Sequence, residues 1–115
     1  MTKATRVFML FEAATFIMAA LIHFRLLIDG YAHRKAGVAE SVIAVVLVAG
    51  VALTSIRSDA VRAIGLAAQG FALLGTLVGI VTIAIGVGPR TTPDIVYHAA
   101  IVVVLVSGLV VAARS

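Results

Sequence analysis

Residues 62–87, RAIGLAAQGFALLGTLVGIVTIAIGV, decide the fold. After Arg62 the stretch carries no charge. It is long enough for a helix across the hydrocarbon core of a bilayer, which takes about 20 apolar residues. Gly65, Gln69, Ala72, Thr76, Gly79, Ile83 and Gly86 recur at alternating steps of four and three, the spacing of one helix face. A membrane-spanning β-strand would be about 10 residues long and would alternate polar with apolar side chains. This stretch does neither. The β-branched runs at 42–48 and 101–105 have strand-like composition, but they lie inside stretches of the same spanning length.

Those stretches are 6–28, 38–56 and 93–113, separated by short charged connections at 29–37, 57–61 and 88–92. The whole chain is 63% hydrophobic and 12% charged, with a mean hydropathy of +1.21. We therefore expect an all-α, integral membrane four-helix bundle with up-down-up-down order. It forms a single transmembrane domain over 1–115, with helices at about 6–28, 38–56, 62–87 and 93–113. The basic start, Lys3 and Arg6, invites a signal-peptide reading, but the first apolar run is longer than the apolar core of a signal peptide.

The polar remainder narrows the function classes. There is no cysteine, so disulfides, thiolate metal sites and cysteine nucleophiles are excluded. The net charge of +4 comes from basic residues beside helix ends, where they meet lipid headgroups. The expected partners are membrane lipids and not nucleic acid. Lys3, Arg6, Arg57, Arg62 and Arg114 fall on the side of the termini, and Arg25, Arg34, Lys35 and Arg90 on the other. This slight excess favours cytoplasmic termini in a multi-pass inner-membrane protein. The near balance also permits insertion both ways, as in small dual-topology transporters.

Two polar layers emerge when depth is counted along the helices. Glu12, Gln69 and Ser107 each lie about six or seven residues inside a helix end, roughly 10 Å at 1.5 Å per residue. A carboxylate at that depth faces protein or water, so the three form a candidate ligand-binding or proton-coupling layer. The alternative is an interhelical hydrogen bond that fixes packing. His23 and His98 lie about five residues inside the opposite helix ends, again at matched depth. Glu12 and His23 are eleven apart and share a face, and the first and fourth helices of such a bundle are neighbours. Facing histidines could hold a haem or a metal ion, or relay protons. Alternatively each ties its helix to a neighbour.

Asp94, four residues before His98, could orient that ring by hydrogen bonding. Asp94 also reads as a helix-start residue in Gly86-Val87-Gly88-Pro89-Arg90-Thr91-Thr92-Pro93-Asp94. There the glycines end one helix, Thr92 caps the next and Pro93 opens it. Arg25 and Asp29 form an i,i+4 pair, and Tyr31, Tyr97 and His33 suit an interfacial belt. Gly65, Gly75 and Gly79 are the expected helix-packing residues, with Gly75 and Gly79 forming a GxxxG that fits close backbone approach within the chain or in a homo-oligomer. The third helix is accordingly expected to make the closest interhelical contact.

The four short helices, the early arginine and the His23-Phe24-Arg25 close of the first helix resemble small bacterial membrane proteins of the DoxX-like type, and the run 86–98 has the look of a family signature. The resemblance implies the four-helix topology and no catalytic residue. The glutamate in the first helix is similar to that of small multidrug-resistance exporters, but this chain has no tryptophan. A fluoride-channel reading fails because it has no asparagine. The expectation is thus a membrane protein that binds or transports a small ligand, with proton coupling through Glu12 and the histidines, and no motif in the chain names a reaction. The alternatives are an accessory subunit of a larger membrane complex and a haem or metal electron-transfer protein.

Overall fold

The structure, a computed structural model, describes residues 2–27, 33–87 and 90–115. Four long helices account for nearly all of them: α1 Thr2–His23, α2 Arg34–Ile56, α3 Val61–Ala84 and α4 Thr92–Ala113. A single 3-10 turn, Ser58–Ala60, links α2 to α3. There is no strand among the described residues. The helices run 22 to 24 residues, about 33–36 Å at 1.5 Å per residue. All four are long and apolar enough to cross a membrane.

The ends of α2 and α4 fall where the sequence puts them, at residues 56 and 113, while several others differ, for identifiable reasons. α1 stops at His23 and not at residue 28. The Leu26 N–H donates to the Leu21 carbonyl at 2.9 Å and the Arg25 N–H to the Ile22 carbonyl at 3.0 Å. These two bonds make a Schellman closure with Arg25 at φ 63°, a conformation that costs a non-glycine residue about 1–2 kcal/mol. α3 closes the same way at Ala84: the Val87 N–H reaches the Thr82 carbonyl at 2.8 Å, with Gly86 at φ 82°. Arg90 then donates from Nε to the Ile83 carbonyl at 2.9 Å and from Nη2 to the Ala84 carbonyl at 2.7 Å. Its guanidinium satisfies carbonyls that the helix end leaves open.

α4 starts one residue earlier than expected. Thr91, not Thr92, is the cap, and it forms a reciprocal capping box with Asp94. The expected Arg25–Asp29 pair, the Tyr31 placement and a helix end at Gly88 lie outside the described residues.

A core runs through the middle of the bundle, built from Met9, Ala13 and Phe16, from Ile43, Ala44 and Leu47, from Ala68 and Ala72, and from Ile101 and Leu105. α1 pairs most extensively with α2, and α3 with α4. The α1–α4 seam is looser than either of these pairs.

The α3 glycines do not face one partner. A Cβ on Gly65 would come within 2.7 Å of Thr5 and 3.1 Å of Ala112, on Gly75 within 2.7 Å of Ile43, and on Gly79 within 2.9 Å of His98. Gly65 and Gly79 both seat side chains of α4, Gly65 meeting α1 as well, while Gly75 seats one from α2; the four-residue step from Gly75 to Gly79 rotates about 40° around a helix of 3.6 residues per turn. Near the chain termini, the Thr5 and Ser115 hydroxyls lie 3.2 Å apart. Arg6 there donates from Nη2 to the Thr54 carbonyl of α2.

Candidate functional site

The first polar layer centres on Glu12. It is fully buried, as is Gln69 on α3. Gln69 donates from Nε2 to the carbonyls of Gly65, at 3.1 Å, and Gly108, at 3.2 Å. Both amide hydrogens are thereby used, which fixes the orientation of the side chain. Its Oε1 and both Glu12 carboxyl oxygens are buried without a hydrogen-bond partner. A Cβ on Gly108 would lie 1.9 Å from Gln69 Oε1 and 2.9 Å from Glu12 Oε2. Gly108 therefore makes the space in which these oxygens meet. Ser107, the residue expected there, is exposed and donates to the Val103 carbonyl one turn back at 2.8 Å. One residue is about 100° around a helix, and that step puts Gly108 inside and Ser107 outside.

The second layer centres on His23, at the last residue of α1. Its Nδ1 lies 2.5 Å from Glu40 Oε1 on α2, and its Nε2 lies 3.5 Å from Asp94 Oδ1 on α4. His23 and Glu40 are each 7% exposed, so a close charge pair here is little screened by solvent. A ring with a carboxylate oxygen at each nitrogen is matched by the imidazolium, the form that donates from both. The other Asp94 oxygen, Oδ2, accepts the Thr91 hydroxyl at 2.5 Å. One side chain thus closes the α4 cap and reaches α1. His33 stands edge-on to His23 at a centroid separation of 6.0 Å, and its N–H donates to the His23 carbonyl at 3.0 Å.

His98 has partners of its own. Its Nδ1 donates to the Asp94 carbonyl at 2.6 Å, and its Nε2 sits against Gly79. The Asp94 carboxylate, expected to orient His98, turns to His23 and Thr91. The two histidines therefore do not converge on a common ligand point. Among the described residues, no group of three or more His, Asp or Glu side chains is arranged to hold a metal ion. The His23 ring itself stands between its two carboxylates. Glu40 is the residue that sequence reasoning missed. α2 begins at Arg34, four residues before the expected start, which carries Glu40 nearly two turns into the helix.

A groove of about 680 Å³ opens along the loose α1–α4 seam. Its walls are Ala14, Met18, Ala19 and Ile22 of α1 and Pro93 of α4. His23 and Asp94 line its polar end, with Thr15 and Tyr97 lower down. Tyr97 is braced edge-on against Phe16, with centroids 6.2 Å apart. The Thr15 hydroxyl donates to the Glu12 carbonyl at 2.8 Å, so the groove backs onto the turn that carries the first layer. A second, smaller apolar groove between α2 and α3 includes Val46, Leu53, Ile64 and Phe71 and offers no charged group.

Comparisons with protein-family models, with curated proteins and with solved structures found no match to this chain.

Proposed function

We propose that this chain is a multi-pass membrane protein that binds a small amphipathic ligand in the α1–α4 groove. The observation that carries the reading is the groove itself, apolar along most of its length and ending at a buried histidine held between two carboxylates. Binding sites of this kind are concave and mostly apolar, with a few placed polar groups that orient the ligand. The ligand's apolar body would lie along Met18, Ala19 and Ile22, and its head at Asp94 and His23. Two carboxylates and one imidazolium leave the cluster with a net negative charge, which favours a cationic head such as an amine. Binding of this kind is the first step of transport and calls for no catalytic residue.

The outward faces support the membrane setting. Val45, Leu74 and Val103 are each more than 60% exposed, and an apolar exterior on every helix suits lipid, not water. Thr5 beside Ser115, Arg6 beside Thr54, and Gly79 beside His98 are the contacts expected of up-down-up-down order. The slight basic excess on the side of the termini favours a cytoplasmic location for them. Gly75 and Gly79 are occupied by Ile43 and His98 within the chain, so the GxxxG lends no support to a homo-oligomer or a larger complex.

The test uses three probes of equal chain length: a long-chain alkylamine, the matching alcohol and the matching carboxylate. Binding to the protein in lipid nanodiscs should favour the amine over the carboxylate by about tenfold, or about 1.4 kcal/mol. Asp94→Asn should shrink that preference. Equal binding of all three probes, or a preference unchanged in the variant, would refute the assignment.

A further inference from the structure

The Glu12 layer carries a conclusion that does not depend on the groove. Three acceptor oxygens, Glu12 Oε1 and Oε2 and Gln69 Oε1, are buried without a donor. Gln69 cannot turn its amide to help, since Nε2 holds two backbone carbonyls, and a flipped amide would set oxygen against both. Gln69 Oε1 and Glu12 Oε2 share the space left open by Gly108. Two acceptors set together in an apolar interior repel, and an ionised carboxylate with no donor costs several kcal/mol there.

No cationic side chain among the described residues hydrogen-bonds to these oxygens. On α1, Arg6 gives Nη2 to the Thr54 carbonyl and its Nε, buried without a partner, lies nearly two turns from Glu12 toward the helix start; His23 is held by Glu40 and Asp94, and Lys3 is exposed. On α2, Arg34 and Lys35 are exposed and the acid Glu40 is taken by His23. On α3 the charged residue is Arg62, exposed at the helix start. On α4, Asp94 is held by His23 and Thr91, and Arg114, just past its end, is exposed.

We infer that Glu12, Gln69 and Gly108 form a proton-binding site inside the bundle, in which Glu12 is a carboxylic acid that donates its hydrogen to Gln69 Oε1. One proton converts a donorless cluster into a hydrogen-bonded pair. It also leaves at most a neutral carbonyl oxygen unmatched, a far smaller cost than a bare carboxylate. A sodium ion fits less well, because hard cations take about six oxygen ligands and three are on offer.

Glutamate labelled with ¹³C at the side-chain carboxyl marks Glu12 and Glu40 alone, which makes infrared spectroscopy of the full chain in lipid decisive. At neutral pH in potassium buffer the expected spectrum has one carboxylic-acid band, which shifts in D₂O, and one carboxylate band. Glu12→Gln should remove the acid band and leave the carboxylate. Gln69→Leu, which takes away the acceptor, should move the acid band to higher wavenumber. Two carboxylate bands at neutral pH would overturn the proposal. So would replacement of the acid band by a carboxylate band when sodium replaces potassium, which would make the site a sodium site. If Glu12→Gln does not fold, the labelled wild-type spectrum alone decides.

Discussion

Glu12 and Glu40 are both buried glutamates in a bundle that is otherwise almost wholly apolar, and they solve the same problem in opposite ways. Glu40 has His23 at 2.5 Å, and beyond the ring Asp94 adds a second carboxylate from a third helix. Glu12 meets an amide oxygen and a glycine. In the first case the charge is kept and paired. In the second no counter-charge is supplied, and the group is stable only as an acid. Burial alone therefore does not set the chemistry of a carboxyl in a membrane bundle. The side chain that the neighbouring helix presents at the same depth decides it.

The largest effect that can break this contrast is loss of His23. His23→Ala leaves Glu40 and Asp94 buried without their shared partner, a change that typically costs about 3–5 kcal/mol. Thermal unfolding in detergent should show a fall of many degrees. A shift no larger than that of an exposed substitution would mean the pair is not formed. Next comes Gly108→Ala, whose methyl would land on Gln69 Oε1. Overpacking of this kind costs about 1–3 kcal/mol, and the same melting assay should detect it. Thr91→Ala removes the α4 cap, at about 1 kcal/mol, and also loosens Asp94, so it should weaken amine binding in the groove as well as stability.

The smallest effect sharpens the contrast most. Glu12→Gln replaces one neutral group with another and should leave the melting temperature within the range of surface changes, about 0.5 kcal/mol. A drop as large as that of His23→Ala would place an ionised, partnered carboxylate at position 12.

The two layers were not equally legible in the sequence. Four apolar runs of spanning length fix helix number, because backbone groups in lipid must be satisfied within a helix. The same counting sets Glu12 level with Gln69, and His23 at the opposite end of the same face. What counting along each helix does not supply is rotation about its axis. Ser107 and Gly108 differ by one residue and by about 100°, and the glycine is the inner one. Nor does counting supply the α2 start at Arg34, which brings Glu40 to His23. Helix starts and stops depend on caps, and here two are hidden from pattern reading: a Schellman closure built on Arg25 where glycine would be expected, and Arg90 folding back onto the α3 carbonyls. The pairing of His23 with Glu40 instead of His98 follows from those ends.

The central claim is that the α1–α4 groove is a ligand site, and the absence of cysteine allows it to be tested directly. A single cysteine is introduced by Ile22→Cys inside the groove or, as a control, by Val103→Cys on the outer face of α4. Each variant is reacted in lipid with a membrane-soluble maleimide, with and without a saturating long-chain alkylamine. The account predicts that the amine slows labelling at position 22 and leaves position 103 unchanged. Equal labelling rates at position 22 with and without the amine, or equal slowing at both positions, would contradict it.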